Sequence, residues 1–262
     1  HTVSGLSPSL GAGVALGHHV RTIPAPDPAQ MTGDLGQAFA ASVHGAIDDL
    51  HRHGIKPAVL IVDTVFSSDG VFADPAGFLQ PAVQTIRNAG GRFIADEVQP
   101  GFGRTGGHWW GFERHGLIPD MVSLGKPMGN GYPVAALVLR PEVLAEFGAK
   151  GRYFNTFGGN AVACATAIAV MEVIEDEGLL HNAATVGQHM ADGLRALAKT
   201  HESLGPLRAT GLFLGQDITN NGAPDGAEAA RVVNALRDAG VLISATGPKG
   251  HTLKIRPPLI LQ

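Results

Sequence analysis

The sequence has a single cysteine, Cys164, in 262 residues. It can form neither an intrachain disulfide nor a cysteine-based zinc cage. In the Ala-rich run from Ala161 to Val170 that cysteine is expected as a small buried hydrophobe. No basic run interleaved with aromatics occurs, and the formal net charge is −4 with a pI near 6.3. The electrostatic footprint of a nucleic-acid binder is therefore missing. No apolar stretch approaches the roughly 20 residues that span a bilayer, so a membrane partner is not expected and the cytoplasm is the default location. Aromatic residues make up only 6%, and the two tryptophans are adjacent, at Trp109 and Trp110. They are expected to anchor a loop against the core. Of the 12 histidines, His18-His19 and His51/His53 lack the i,i+4 arrangement that a helical zinc site would show, and no metal is assigned. An initiator methionine is also absent. The chain opens at His1 and closes at Gln262 after a strand-like run, so it is read as truncated at both ends, with an upstream targeting segment left open.

What is present is a hydrophobic fraction of 44%, enough for a sizeable core. At roughly 100–200 residues per domain, one large or two modest domains are expected. Strand-like and helix-like segments alternate, which is the α/β pattern. Val20–Ile23 is short and β-branched. Asp34 can cap a helix running to about His53, with Leu35, Phe39, Val43, Ile47 and Leu50 near helical spacing and Gly54 as the stop. Ala58–Val62 is a continuous apolar run ending in Asp63, typical of a buried parallel strand. A helix from Phe78 to Ala89 stops at Gly90-Gly91. Strands follow at Arg92–Ala95, ending in Asp96-Glu97, and at Asp120–Leu124, ending in Gly125-Lys126; Pro133–Leu139 is a further strand. Beyond Phe157 come two helices, Asn160–Glu177 and about Leu180–Lys199. A strand pair near Arg208–Ile218, a helix at about Ala223–Ala239, and short strands at Val241–Ser244 and Thr252–Ile255 complete the chain. The expected division is a large domain over residues 1–165 and a connecting helix with a small domain over 166–262.

Three strands thus carry polar residues at their carboxyl ends, where ligands bind in open parallel sheets. Lys126 lies thirty positions after Asp96, one βα unit away. Taken alone, a Lys after Gly is usually a solvated side chain, and an Asp ending a strand a cap or turn former. Together they match the demands of pyridoxal phosphate (PLP) chemistry. That chemistry needs a lysine amine to hold the aldehyde as an imine and move a proton, and a carboxylate to keep the pyridine nitrogen protonated.

The segment Phe93–Gly106, then Trp110-Gly111-Phe112-Glu113, Pro119-Asp120-Met121, Gly125-Lys126, Gly129-Asn130-Gly131 and Pro133, resembles the signature of the class III aminotransferases. Asn155-Thr156-Phe157-Gly158-Gly159-Asn160 resembles that family's threonine-containing loop, and Lys254-Ile255-Arg256-Pro257-Pro258-Leu259 its C-terminal arginine motif. The resemblance implies a fold-type I PLP-transferase: an α/β fold with a mostly parallel sheet in the large domain and a smaller C-terminal α/β domain. It implies PLP as cofactor, with Asp96 on the pyridinium nitrogen, Val98 on the ring face, Gln99 near the ring hydroxyl and Lys126 as the imine-forming lysine. Thr156 would reach the cofactor phosphate of a neighbouring subunit, making a homodimer the active unit. Arg256 would bind a substrate carboxylate as a bidentate fork; the plainer alternative for it is a surface charge. Glu97 and Arg104 are read as ion-pair formers. The implied reaction is transamination between an amine or amino acid and a keto acid such as pyruvate, glyoxylate or 2-oxoglutarate. Phosphate elimination, decarboxylation, or a catalytically impaired fragment are the alternatives. Asp63 stands where many members carry a Glu-Pro strand end, as in the branch of alanine–glyoxylate aminotransferase 2 and the ethanolamine-phosphate phospho-lyases. The family's phosphate cup and aromatic-His-Gly motif are expected upstream of Thr2, and Gly11-Ala12-Gly13 is too short to replace the cup.

Overall fold

The computed structural model describes residues 16–262, so His1–Val3 and Gly11-Ala12-Gly13 lie outside the described residues. Helix α1 (Leu35–Arg52) begins where Asp34 accepts the Gln37 N–H at 2.8 Å, a cap that satisfies one of the helix's orphan donors. Four strands follow: β1 (Val59–Asp63), then, after helix α2 (Gln80–Asn88), β2 (Arg92–Asp96), β3 (Met121–Leu124) and β4 (Ala136–Leu139). They form one sheet in that order, with β1, β2 and β3 parallel and β4 antiparallel at the edge. Phe39, Val43 and Ile47 of α1 and Val83 and Ile86 of α2 pack with Leu60, Val62 and Phe93 of the sheet in one core. Each such side chain contributes roughly 1.5–3 kcal/mol when fully buried.

Helices α3 (Pro141–Lys150), α4 (Ala161–Asp176) and α5 (Leu179–Ala198) lead to the second sheet. Its strands are β5 (Leu204–Thr210), β6 (Phe213–Asn220) and β7 (Ala223–Pro224), followed by helix α6 (Gly226–Asp238) and then β8 (Ser244–Thr246) and β9 (Thr252–Ile255). The order is β5-β6-β9-β8, with β7 on β6 and every pairing antiparallel. The α4–α5 corner closes over the first sheet through Ile174 and Leu179 against Phe102 and Leu124. Trp110 meets Phe102 edge-on at 5.1 Å in the same cluster, which is the anchoring expected of the tryptophan pair.

Several local expectations change. Val20–Ile23 forms no strand, because its β-branched residues have no neighbouring strand to pair with. The strand expected at Val241–Ser244 is Ser244–Thr246, set by the Thr246↔Thr252 register with β9. Pro133–Leu139 shortens to Ala136–Leu139, and α3 was not expected at all. Cys164 is exposed. The inward residues of α4 are Ala163, Ala167 and Ile174, and Cys164 sits about 100° round the helix from Ala163. Among the described residues no helix is long and apolar enough to cross a membrane, and no group of three or more His, Cys, Asp or Glu is placed to hold a metal ion.

The two sheets meet through backbone that lies too close for side chains. A Cβ on Gly187 of α5 would run into the Gly211 carbonyl, and Gly211, at φ +53°, would itself collide with the backbone of Thr105 and Gly106. Neither segment can retreat. Gly187→Ala should therefore destabilise the fold by about 2 kcal/mol or more through overpacking. Gly193→Ala, on the same helix with open space around it, should be neutral or stabilising by up to about 1 kcal/mol. Denaturant unfolding of both variants checks the contrast.

Candidate active site

Because β1, β2 and β3 are parallel, their carboxyl ends share one edge of the sheet. Asp63 is in register with Asp96, and Asp96 with Ser123 of β3, while Lys126 follows β3 in a short 3-10 turn. The three acidic strand residues differ in what they already hold. Asp63 accepts the Val65 N–H at 3.1 Å, the Ser67 N–H at 3.0 Å and the Ser67 hydroxyl, so it braces the turn after β1. Burial pushes its carboxyl above the usual range. Glu97 is fully buried and accepts the Gly111 N–H at 2.7 Å, the Phe112 N–H at 2.9 Å and the Thr64 hydroxyl at 3.0 Å. Asp96 is different: one oxygen accepts the Val98 N–H at 3.0 Å, and the other has no hydrogen-bond partner among the described residues. Lys126 is exposed and likewise has neither hydrogen bond nor ion pair among them. Between these two, the Val98 methyls lie 3.5 Å from where a Cβ on Gly125 would stand. An uncommitted carboxylate, an uncommitted amine and an apolar side chain thus face one edge.

The second sheet adds charge to that edge. Gln99 Oε1 accepts Lys254 Nζ at 2.9 Å and Arg256 at 3.0 Å, which places Arg256 beside the site through Gln99. Lys254, on β9, is only 7% exposed. Burial, helped by neighbouring Arg256 and Lys126 and opposed by Asp63 and Asp69, lowers its amine to about 8. Asp69, on the loop after β1, is raised to about 6 by burial and by Asp63. Sequence reasoning missed Lys254 and Asp69. A lysine inside an apolar β-strand pattern was the only available signal. Thr156 lies in an exposed loop before α4, and no hydrogen bond or ion pair joins it to the other expected site residues.

Two expected ion pairs do not form. Glu97 has no cation beside it, because its oxygens are filled by backbone donors. Arg104 donates instead to the Leu212 and Pro257 carbonyls, tying the loop after β2 to the second sheet. The loop after β1 is tied in the same way: Arg208 donates to the Gly70 carbonyl at 2.8 Å and Thr246 to the Ser68 carbonyl at 2.9 Å. Within that loop buried Val71 sits at φ 65°, a conformation costly for a β-branched residue and sustained here by the surrounding packing. A surface concavity of about 530 Å³ lined by Arg87, Arg92, Asp120 and Arg140 opens at the opposite edge of the sheet, away from these residues.

The model of the family described as aminotransferase class-III matches residues 11–262. This chain belongs to the class III aminotransferase family. It is 41% identical to an alanine–glyoxylate aminotransferase 2-like protein of Drosophila melanogaster over 86% of the chain and 47% of that protein. With the ethanolamine-phosphate phospho-lyase homolog 1 of Caenorhabditis elegans it shares 39% identity over 86% of the chain and 49% of the relative. Among solved structures, a phospholyase from Arthrobacter in complex with phosphoethanolamine superposes with a TM-score of 0.88 at 37% identity, over 95% of this chain and 60% of that one. The chain spans about half the length of the curated relatives it matches. Class III aminotransferases are PLP-dependent and share the fold-type I architecture. The residues at the shared strand edge fit that cofactor, because Asp96 has an open acceptor, Lys126 an open amine, and Val98 supplies an apolar face between them.

The strand edge of this aminotransferase chain is fixed by a second buried group, His115. Its Nδ1 accepts the Gly77 N–H at 3.2 Å and its Nε2 lies 3.2 Å from the Thr64 carbonyl, which requires the neutral ring with the proton on Nε2. Burial lowers its pKa from 6.5 to about 4. A histidine with a depressed folded-state pKa favours folding above its unfolded value, and that contribution is lost as pH falls from 6.5 towards 4. The loss should reach about 3 kcal/mol. Glu97, raised to about 7 by burial, has the opposite sign, since its contribution is full below its unfolded value and lost as pH rises from 4.5 to 7. The test is therefore the difference in unfolding free energy between the parent and His115→Gln. That difference should shift against the parent by about 3 kcal/mol between pH 7 and 4.

Proposed function

We propose that this chain carries the PLP site of an enzyme that transfers an amino group from an amine or amino acid to a keto acid such as pyruvate, glyoxylate or 2-oxoglutarate. The observation that carries the reading is that Asp96 and Lys126 stand at and just after the carboxyl ends of the neighbouring parallel strands β2 and β3 with open polar atoms, while Asp63 and Glu97 beside them have both carboxylate oxygens hydrogen-bonded. Asp96, Val98, Gln99 and Lys126 would hold the cofactor. When bound, PLP supplies an electron sink for the bond broken at the amine-bearing carbon. Asp96, with its open oxygen, would hold the pyridine nitrogen and stabilise positive charge there. Val98 covers one face and excludes water. Lys126 would hold the cofactor through its amine and would serve as general base and acid for the proton at the substrate carbon. Arg256 binds the substrate's anionic end, for which a guanidinium fork suits a carboxylate.

The active unit is read as a homodimer in which Thr156 reaches the neighbouring subunit's cofactor phosphate. The exposure of Thr156 and of Tyr153, Phe154 and Phe157 around it, each more than three-quarters exposed, supports a partner surface there. The two sheets are read as two domains dividing at residues 165 and 166, and the protein as cytoplasmic. Phosphate elimination from a phosphorylated amine is the second reading, favoured by the similarity to two phospho-lyases.

Added PLP should give the parent chain a visible absorption band that Lys126→Ala lacks. Asp96→Asn should keep the lysine but slow turnover by about 100-fold or more, the usual cost of removing one electrostatic stabiliser. Turnover that depends on a keto acid supports transfer, whereas release of inorganic phosphate from phosphoethanolamine without a keto acid selects elimination. A parent that forms no band and shows neither activity would refute the reading.

A further inference from the structure

The amino-end edge of the first sheet gathers three guanidiniums from separate elements. Arg87 comes from the last turn of α2 and Arg92 opens β2. Arg140 follows β4, which is antiparallel to β3 and so ends where β3 begins. All three line the concavity of about 530 Å³ on that edge, together with Asp120 and the Gly90-Gly91 turn. Asp120 does not neutralise the set. Its Oδ2 already accepts the Phe93 N–H at 2.9 Å and Arg87 at 3.2 Å, and its Oδ1 stands 4.0 Å from Arg92. Three guanidiniums against one carboxylate leave a surplus of two positive charges in the lining. Glu142 lies 3.6 Å from Arg140 at the surface, and an exposed ion pair of that kind contributes little.

Neutral groups hold the cations in place instead. Arg87 donates to the Ile118 carbonyl at 2.7 Å. Arg140 donates to the same carbonyl at 3.3 Å and to that of Pro119 at 3.1 Å. The chain before β3 thus fixes two like charges side by side without offsetting either, and each keeps a guanidinium nitrogen with no hydrogen bond among the described residues. Arg92 makes no side-chain hydrogen bond among them at all and is half exposed. At the mouth, a Cβ on Gly90 would meet nothing within 4 Å. Like charges fixed together at an open surface repel one another, and a set held by backbone acceptors is preorganised for an anion.

We infer that Arg87, Arg92 and Arg140 form a receptor for a doubly charged phosphate group, remote from the strand edge that carries Lys126. Two negative charges match the surplus, and a phosphate monoester carries both above about pH 6. Its oxygens can take a fork from Arg92 and the open edges of the other two guanidiniums, a geometry an ammonium would not provide. A single carboxylate would leave one charge unmatched. The concavity also has room for the organic body of such a ligand, since small-molecule sites run from about 300 to 1,000 Å³. Strand β3 separates the receptor from the Lys126 edge by its four residues, about 13 Å. A ligand here does not compete with an amine or keto acid, and the inference stands whether or not Lys126 holds PLP.

The experiment is calorimetric titration of the chain, treated with PLP and freed of the excess, with glycerol phosphate, inorganic phosphate and acetate. It is repeated on Arg92→Gln and Arg140→Gln, with Arg256→Gln as the control for anions bound at the other edge. Thermal midpoints are recorded for each. Arg92→Gln removes no hydrogen bond among the described residues, so it should fold as the parent does. The parent should bind phosphate about tenfold or more tightly than acetate, and Arg92→Gln and Arg140→Gln should each weaken phosphate by about tenfold, the loss of one charged hydrogen bond. Arg256→Gln should stay within about twofold of the parent. Phosphate should also raise the thermal midpoint of the parent more than that of Arg92→Gln. Tighter binding of glycerol phosphate supports the receptor with an organic phosphate as its ligand, and equal affinity supports it with the free ion. Phosphate affinity within about twofold of the parent in a folded Arg92→Gln overturns the receptor. So does binding that is lost in Arg256→Gln alone, or a parent that binds acetate as well as phosphate.

Discussion

Glu97 is a buried carboxylate with no cation in contact, and the arrangement of the site depends on the donors it has instead. Two successive backbone N–H groups, those of Gly111 and Phe112, and the Thr64 hydroxyl converge on its oxygens. Through them the loop after β2, which runs more than a dozen residues, is pinned to the ends of β1 and β2. These bonds add to the Arg104 ties and the packing of Phe102 in fixing the Gly-rich segment Pro100–Gly107, since glycine imposes no preference of its own. His115 repeats the logic one turn later, linking the Thr64 carbonyl to Gly77. A buried network of this kind fixes backbone positions at the strand ends.

The acids at the sheet edge play unlike roles. Asp63 and Glu97 are saturated by local donors. Asp120, at the start of β3, accepts the Phe93 N–H and pairs with Arg87. Asp96 keeps an oxygen open at the carboxyl end of β2, in register with Ser123, which stands three residues before Lys126. Low dielectric makes an unsatisfied polar group costly, so the ones that persist at a strand edge mark where a ligand supplies the missing partner. Asp96 is such a group at the edge of the first sheet, and on the second sheet Lys254 is held only by a neutral amide.

Much of the fold was legible from local pattern. The helix at Leu35–Arg52 followed from apolar spacing and an Asp cap, and the three parallel strands from short apolar runs that end in polar residues. The readings that failed did so for non-local reasons. Val20–Ile23 has strand composition and no neighbour to pair with. Cys164 lies in an apolar helix of which only one face is covered, and composition does not say which face. Glu97 and Arg104 have the right charges for ion pairs, but backbone groups reach them first.

By itself the sequence determined most of the element types and the polar residues at the strand ends, Asp96 and Lys126 among them, because side-chain period and strand-end chemistry are written within a few residues of each other. Only the tertiary structure decided which charges would be satisfied and which left open. Lys254 becomes a site residue when Gln99, 155 positions earlier, meets it across the two sheets, and Glu97 becomes a clamp when Gly111 folds back over it. Desolvation and hydrogen-bond satisfaction depend on everything packed around a group, and those neighbours come from segments that no local pattern relates.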